Sequence, residues 1–154
     1  MIGFNQFVTL VLASPFHGLF GMSQNMLLLT VTGRKSGNLY TFPVEYVEDG
    51  DTLIILSHLH RTWWKNLTDD AQVRLCLRGR VLTAHAELKT DPAQVAGYLT
   101  RVLEQRPMLA RFYRVERTET GFNRDDVYDA AHNVVAVVLA REVQGQPVPV
   151  RIRI

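Results

Sequence analysis

Apolar residues in this chain run together in short blocks, or alternate with polar ones, more often than they recur at helical spacing. "MLLLTVT" at 26–32 is an unbroken apolar block of strand length, the pattern of a strand buried on both faces. Over 40–47, Tyr40, Phe42, Val44 and Tyr46 alternate with Thr41, Pro43 and Glu45, which predicts a second strand. Pro43 assigns it to a sheet edge or bulge, because proline lacks the N–H that a central strand needs. "EDGD" then predicts a hairpin turn into a third strand, "TLIILS". "QVRLCLRG" and "VLTAHAELK" supply two more, and "VVAVVLAREV" reads as a buried strand. The tail "PVPVRIRI" is a candidate edge strand.

Helical spacing is confined to a few places. Phe4, Phe7, Val8 and Val11 form one stripe in a helix predicted over about 2–14. "TWWKNLTDD" predicts a short helix capped by Thr62, and "TDPAQVAGYLTRVLEQRP" a longer one with its apolar stripe at Val95, Tyr98, Leu99 and Val102. A further helix is expected between Arg124 and His132. Mostly consecutive strands with few helices predict a mainly β fold with α (α+β), an antiparallel barrel with helices packed outside. No repeat or linker interrupts the sequence, so residues 1–154 are expected to form one domain.

Composition narrows the function. Hydrophobic residues make up 47% of the chain and charged ones 21%, a balance suited to a packed core. A formal net charge of +2 with dispersed Lys and Arg lacks the concentrated basic face of a nucleic-acid binder. Cys76 is the only cysteine, which excludes an internal disulfide and points to a reducing, cytoplasmic setting. The first 33 residues carry no Asp, Glu, Lys or Arg. They also lack the basic start of a secretory signal and the uninterrupted apolar length of a membrane span, which a helix needs about twenty residues to cross. Packing on the barrel is the plain reading of the first helix, and peripheral membrane contact is its alternative.

Between the first two strands lies "GRKSG", Gly33 to Gly37. Arg34 offers a planar fork, Lys35 a compact charge and Ser36 a hydroxyl donor, and backbone beside glycine can approach an anion closely. The set suits a phosphate. A basic turn between strands is the plainer reading. The spacing matches neither a Walker A loop nor a dinucleotide fingerprint, which excludes P-loop chemistry.

"LLLTVTGRKSG", "FPVEYVEDGD", "ILS", "WWKNL" and "VRLCLRGR" together resemble the deazaflavin-dependent nitroreductase and quinone reductase family. The resemblance covers about residues 26–88. It implies a split β-barrel, the FMN-binding-like fold, and an oxidoreductase that passes hydride from reduced coenzyme F-420, an 8-hydroxy-5-deazaflavin, to a quinone, nitro compound or activated alkene. By the same resemblance Arg34, Lys35 and Ser36 hold the coenzyme phosphate, with Gly33 and Gly37 allowing close approach. Pro43 and Val44 lie along the deazaflavin ring, Ser57 lies near its edge, and Trp63, Trp64 and Asn66 close the pocket. A homodimer and a small-molecule substrate are implied too. The chain departs from the family pattern at Tyr40, where members commonly carry an arginine, and in the shorter connection His58-Leu59-His60-Arg61, where Arg61 is a substitute phosphate ligand.

Two rivals stand beside this reading. One keeps the barrel but binds FMN as a flavin reductase or oxidase, and the other is a noncatalytic flavin or deazaflavin carrier. The tryptophan pair has an alternative as packing residues, and Asn66 as a tie within its own loop. His58, His60 and His85 lack a carboxylate that would complete a metal set, so no metal is expected. Hydride delivery needs no protein nucleophile, and the catalytic proton donor is left unassigned among the histidines, Tyr113 and Tyr128.

Overall fold

The computed structural model describes residues 25–68 and 70–141. Nine strands are present among them: β1 (Met26–Thr32), β2 (Leu39–Glu45), β3 (Val47–Asp49), β4 (Thr52–His58), β5 (Ala71–Leu77), β6 (Arg80–Lys89), β7 (Arg117–Thr118), β8 (Gly121–Phe122) and β9 (Val134–Arg141). A 3₁₀ turn spans Trp63–Asn66, and the helices are α1 (Pro92–Gln105), α2 (Leu109–Phe112) and α3 (Arg124–Ala131). The predicted helix over 2–14 and the candidate strand in the tail lie outside the described residues.

Seven strands form one antiparallel sheet in the order β2-β1-β5-β6-β9-β4-β3. β2 and β3 are its two edges, yet Tyr46 alone separates them in sequence. One residue spans at most about 3.6 Å, so the sheet curls until its opposite edges meet. This is the split-barrel α+β architecture. The single strand predicted over 40–47 is therefore two pieces. β2 pairs with β1 and β3 with β4, and the chain turns the barrel's corner at Tyr46, whose N–H bonds to the Asn25 carbonyl at 2.9 Å. Pro43 does sit on an edge strand.

Strand alternation sorts the side chains. Leu29, Val31, Ile55, Leu75 and Leu139 face the barrel interior, where Leu67 joins them from beyond the 3₁₀ turn. On the outer face, Ile54 packs against Val102 of α1, while Val134 meets Val95 of α1 and Ala131 of α3. Pro92 opens α1, a position where its missing N–H costs nothing. Asn123 caps α3 by accepting the N–H groups of Asp125 and Asp126 at 3.0 and 3.1 Å.

β9 enters the sheet between β6 and β4, and six of its eight residues are buried, as its apolar run predicts. Thr62 does not cap the turn that follows it. Its backbone is already helical and its side chain makes no capping bond, whereas an N-cap needs extended backbone to aim its oxygen at the first amides. The Thr62 carbonyl instead accepts the Lys65 N–H at 3.1 Å.

Candidate functional site

The 33–37 loop and the 3₁₀ turn face each other across a cleft of about 560 Å³, within the usual range of small-molecule sites. Gly33, Arg34, Lys35 and Ser36 line one side, and Trp63 and Asn66 the other. Val31, Tyr40, Phe42 and Thr62 complete it. Phe42 and Trp63 meet edge to face at 5.2 Å, so the wall between the loop and the core is aromatic.

The loop is built by its own hydrogen bonds. The Gly33 N–H donates to the Asn38 carbonyl at 2.7 Å and the Gly37 N–H to the Gly33 carbonyl at 2.8 Å. Gly37 has φ +71°, a left-handed conformation that glycine adopts without steric cost. The Asn38 N–H donates to Ser36 Oγ at 3.1 Å. From across the cleft, Asn66 Oδ1 accepts the Arg34 N–H at 2.9 Å, while its Nδ2 donates to the Trp63 carbonyl at 3.0 Å. Asn66 thus ties the loop to the turn, a longer reach than a bond within its own segment.

Replacing Asn66 with alanine should free the Arg34 amide. The expected result is faster hydrogen exchange at that amide with the barrel amides unchanged, since one neutral hydrogen bond contributes about 0.5–1.5 kcal/mol. Unchanged exchange would show that something else holds the loop.

Charge is distributed unevenly around the barrel. Arg78 pairs with Glu48, Arg101 with Asp49, Arg106 with Glu45 and Lys89 with Glu87. Among the described residues, Arg34 and Lys35 make no ion pair and no acidic side chain lines the cleft. The loop is a local concentration of uncompensated positive charge beside an apolar wall.

The remaining expected site residues are scattered around this cleft. Gly37 shapes the loop from outside the lining. Val44 packs towards the core with Phe42, whereas Pro43 is exposed and alternates to the other face of β2. Ser57 is buried in β4 and donates to the His58 carbonyl at 3.3 Å. Arg61 is exposed in the connecting loop, its N–H bonded to the His58 carbonyl at 3.1 Å. Trp63 and Trp64 both pack against the core, the alternative open to the pair, with the Lys65 ammonium 5.6 Å from the Trp64 ring centroid. Trp63 also lines the cleft. Val31, Phe42 and Thr62 line the cleft without standing out in the sequence as site residues. Phe42 carried a usable signal, because alternation puts it on the face of Tyr40, one strand step from the loop.

None of the named proton-donor candidates lines the cleft. The rings of His58 and His60 stack at 5.4 Å, and His58 lies against Phe112 at 5.5 Å. Burial holds the His58 pKa below the ordinary imidazole value, and the positive charges of His60 and Arg61 add to the effect. Tyr113 borders a separate cavity of about 40 Å³ with Glu45 and Arg106. Its hydroxyl is pushed up to about 12, first by burial and then by Glu45, with Arg106 opposing. Tyr128 packs edge to face on His132 at 4.7 Å. Among the described residues, no group of three or more His, Cys, Asp or Glu side chains is placed to hold a metal ion. Cys76 is buried, and that burial raises its thiol pKa.

Residues 14–121 match the F420H(2)-dependent quinone reductase family. The chain belongs to that family. It is accordingly an oxidoreductase, a deazaflavin-dependent reductase whose coenzyme is F-420. No curated protein matches the sequence. Solved structures of similar fold include an F420-H2 dependent reductase, 17% identical with a TM-score of 0.51, the match covering 75% of this chain and 93% of that one. A protein solved as a domain-swapped dimer is 16% identical with a TM-score of 0.55, covering 88% and 94%. A NimC/NimA family protein from Clostridium acetobutylicum is 14% identical with a TM-score of 0.50, covering 86% of each. At these identities the likeness supports the shared split-barrel fold of the family.

Proposed function

We propose that the cleft receives reduced coenzyme F-420 with its phosphate-bearing tail on the 33–37 loop, and that the acceptor is an apolar electrophile, a quinone before a nitro compound or an activated alkene. The observation that carries this reading is the pairing of unbalanced charge with an aromatic wall. Arg34 and Lys35 make no ion pair among the described residues, and they stand beside the apolar wall that Phe42 and Trp63 form edge to face. A phosphate suits the first and a planar ring the second.

When bound, the coenzyme supplies the hydride. The chain's own residues supply position. Arg34, Lys35 and Ser36 anchor the tail, Asn66 fixes the loop that carries them, and Val31, Phe42 and Trp63 exclude water from the face where an acceptor would lie. Reduced coenzyme incubated with protein and a soluble quinone should return to its oxidised absorbance at a rate set by protein concentration. No oxidation with quinone, nitro or alkene acceptors would sink the proposal.

We also propose that the chain pairs as a homodimer. The similar protein solved as a domain-swapped dimer supports this, and sedimentation at micromolar concentration tests it, a lone monomer being the contrary result. Among the described residues no helix is long and apolar enough to cross a membrane.

A further inference from the structure

We infer that Tyr40 is a positioning residue for phosphate recognition, and that its hydroxyl fixes Ser36 as a hydrogen-bond donor to the coenzyme tail. The inference rests on the reading of the 33–37 loop given under the proposed function.

Most of the loop's amides are already engaged. The N–H groups of Gly33, Arg34, Gly37 and Asn38 bond within the protein, which leaves those of Lys35 and Ser36. An anion in this cleft therefore depends mainly on side chains, and the direction in which Ser36 points its proton becomes important.

Ser36 Oγ accepts the Asn38 N–H at 3.1 Å and lies 3.3 Å from the Tyr40 hydroxyl. A serine hydroxyl has one proton to donate and two lone pairs. Either hydroxyl can be the donor between the two. Once Ser36 gives its proton to a phosphate, Tyr40 must be the donor between them, and both lone pairs of Ser36 are then filled. The result is a chain, Tyr40 O–H to Ser36 Oγ and Ser36 O–H to phosphate, in which each bond polarises the next.

Gly33 makes this contact possible. It is buried, and a Cβ there would come 2.7 Å from Tyr40 Cε2 and 2.8 Å from Ser36 Oγ. The small residue leaves room for the ring and hydroxyl that its neighbours bring together. Tyr40 itself is 48% exposed, so its ring is not needed to fill the core.

Titration of the parent, Tyr40→Phe, Ser36→Ala and the double variant with coenzyme F-420, and with a deazaflavin lacking the phosphate tail, tests the assignment. Tyr40→Phe should weaken binding of the phosphate-bearing coenzyme about three- to ten-fold, the size of one neutral hydrogen bond, and leave the truncated molecule unaffected. In the Ser36→Ala background the same change should cost nothing further. Equal losses for both molecules, no loss for either, or an undiminished loss in the Ser36→Ala background would each overturn the assignment. Arg34→Gln separates the two levels of the reading. If it weakens binding while Tyr40→Phe does not, the Tyr40 assignment alone fails, and if neither weakens it, the loop reading has failed as well.

Discussion

Neutralising Arg34 and Lys35 together, as Arg34→Gln with Lys35→Gln, is expected to weaken coenzyme binding by about a hundred-fold or more at low salt while the barrel stays folded. Each change removes a charge-assisted hydrogen bond to phosphate worth roughly 1.5–3 kcal/mol, which is about ten- to 150-fold in affinity. Neither cation has a carboxylate among the described residues to fall back on, so each is free to act on a ligand. Both are exposed, and surface substitutions of this kind change stability by about 0.5 kcal/mol or less. Fluorescence titration gives the affinity, and the melting temperature serves as the control. Salt adds a second readout. Binding to the parent should weaken as salt rises, while the double variant should respond less, because screening acts on the charges that were removed. Parent-like affinity in the double variant would reduce the loop to a basic turn.

Leu139→Ala is expected to destabilise the barrel strongly. Leu139 lies in β9 opposite Leu53 of β4 and Ala86 of β6, with 0% of its surface exposed. Removing a buried leucine side chain costs its transfer energy and leaves a cavity, together about 2–5 kcal/mol. At roughly 2–4 °C per kcal/mol for a chain of this size, the melting temperature should fall far enough to be unmistakable. Urea unfolding should show a lower midpoint with an unchanged slope. A loss under about 1 kcal/mol would mean that the interior can collapse around the gap.

The sequence carries much of this fold because its strands announce themselves locally. The run in β1, the alternation in β6 and the proline at the start of α1 each impose a structure whatever their neighbours do. Long-range choices were less legible. Nothing near Tyr46 says that the chain leaves one edge of the sheet to begin the other, and nothing near Val134 says that β9 goes between β6 and β4. Pairing of that kind is settled by burial across the whole barrel. The helix α2 and the β7-β8 hairpin, of four and two paired residues per element, are too short to show a period.

The candidate site divides along the same line. Arg34, Lys35 and Ser36 are legible as a group because they are contiguous and chemically distinctive. Asn66 and Trp63 were named through a family resemblance, and the structure brings both to the cleft. Ser57 rests on the same resemblance and Arg61 on a departure from it, and neither lines the cleft. Tyr40 stands out in the sequence only as a departure from the family pattern. Its contact with Ser36 depends on Gly33 being too small to intervene, a relation that no local pattern displays.

The assignment proposed for the 33–37 loop is that it holds the phosphate of the coenzyme. Its most direct test is the ratio of two affinities in the parent protein, one for intact coenzyme F-420 and one for the deazaflavin lacking the phosphate tail. The intact coenzyme is expected to bind at least about ten-fold tighter at low salt, with the ratio narrowing as salt is raised. Equal affinities at low salt, with both molecules bound, would contradict it.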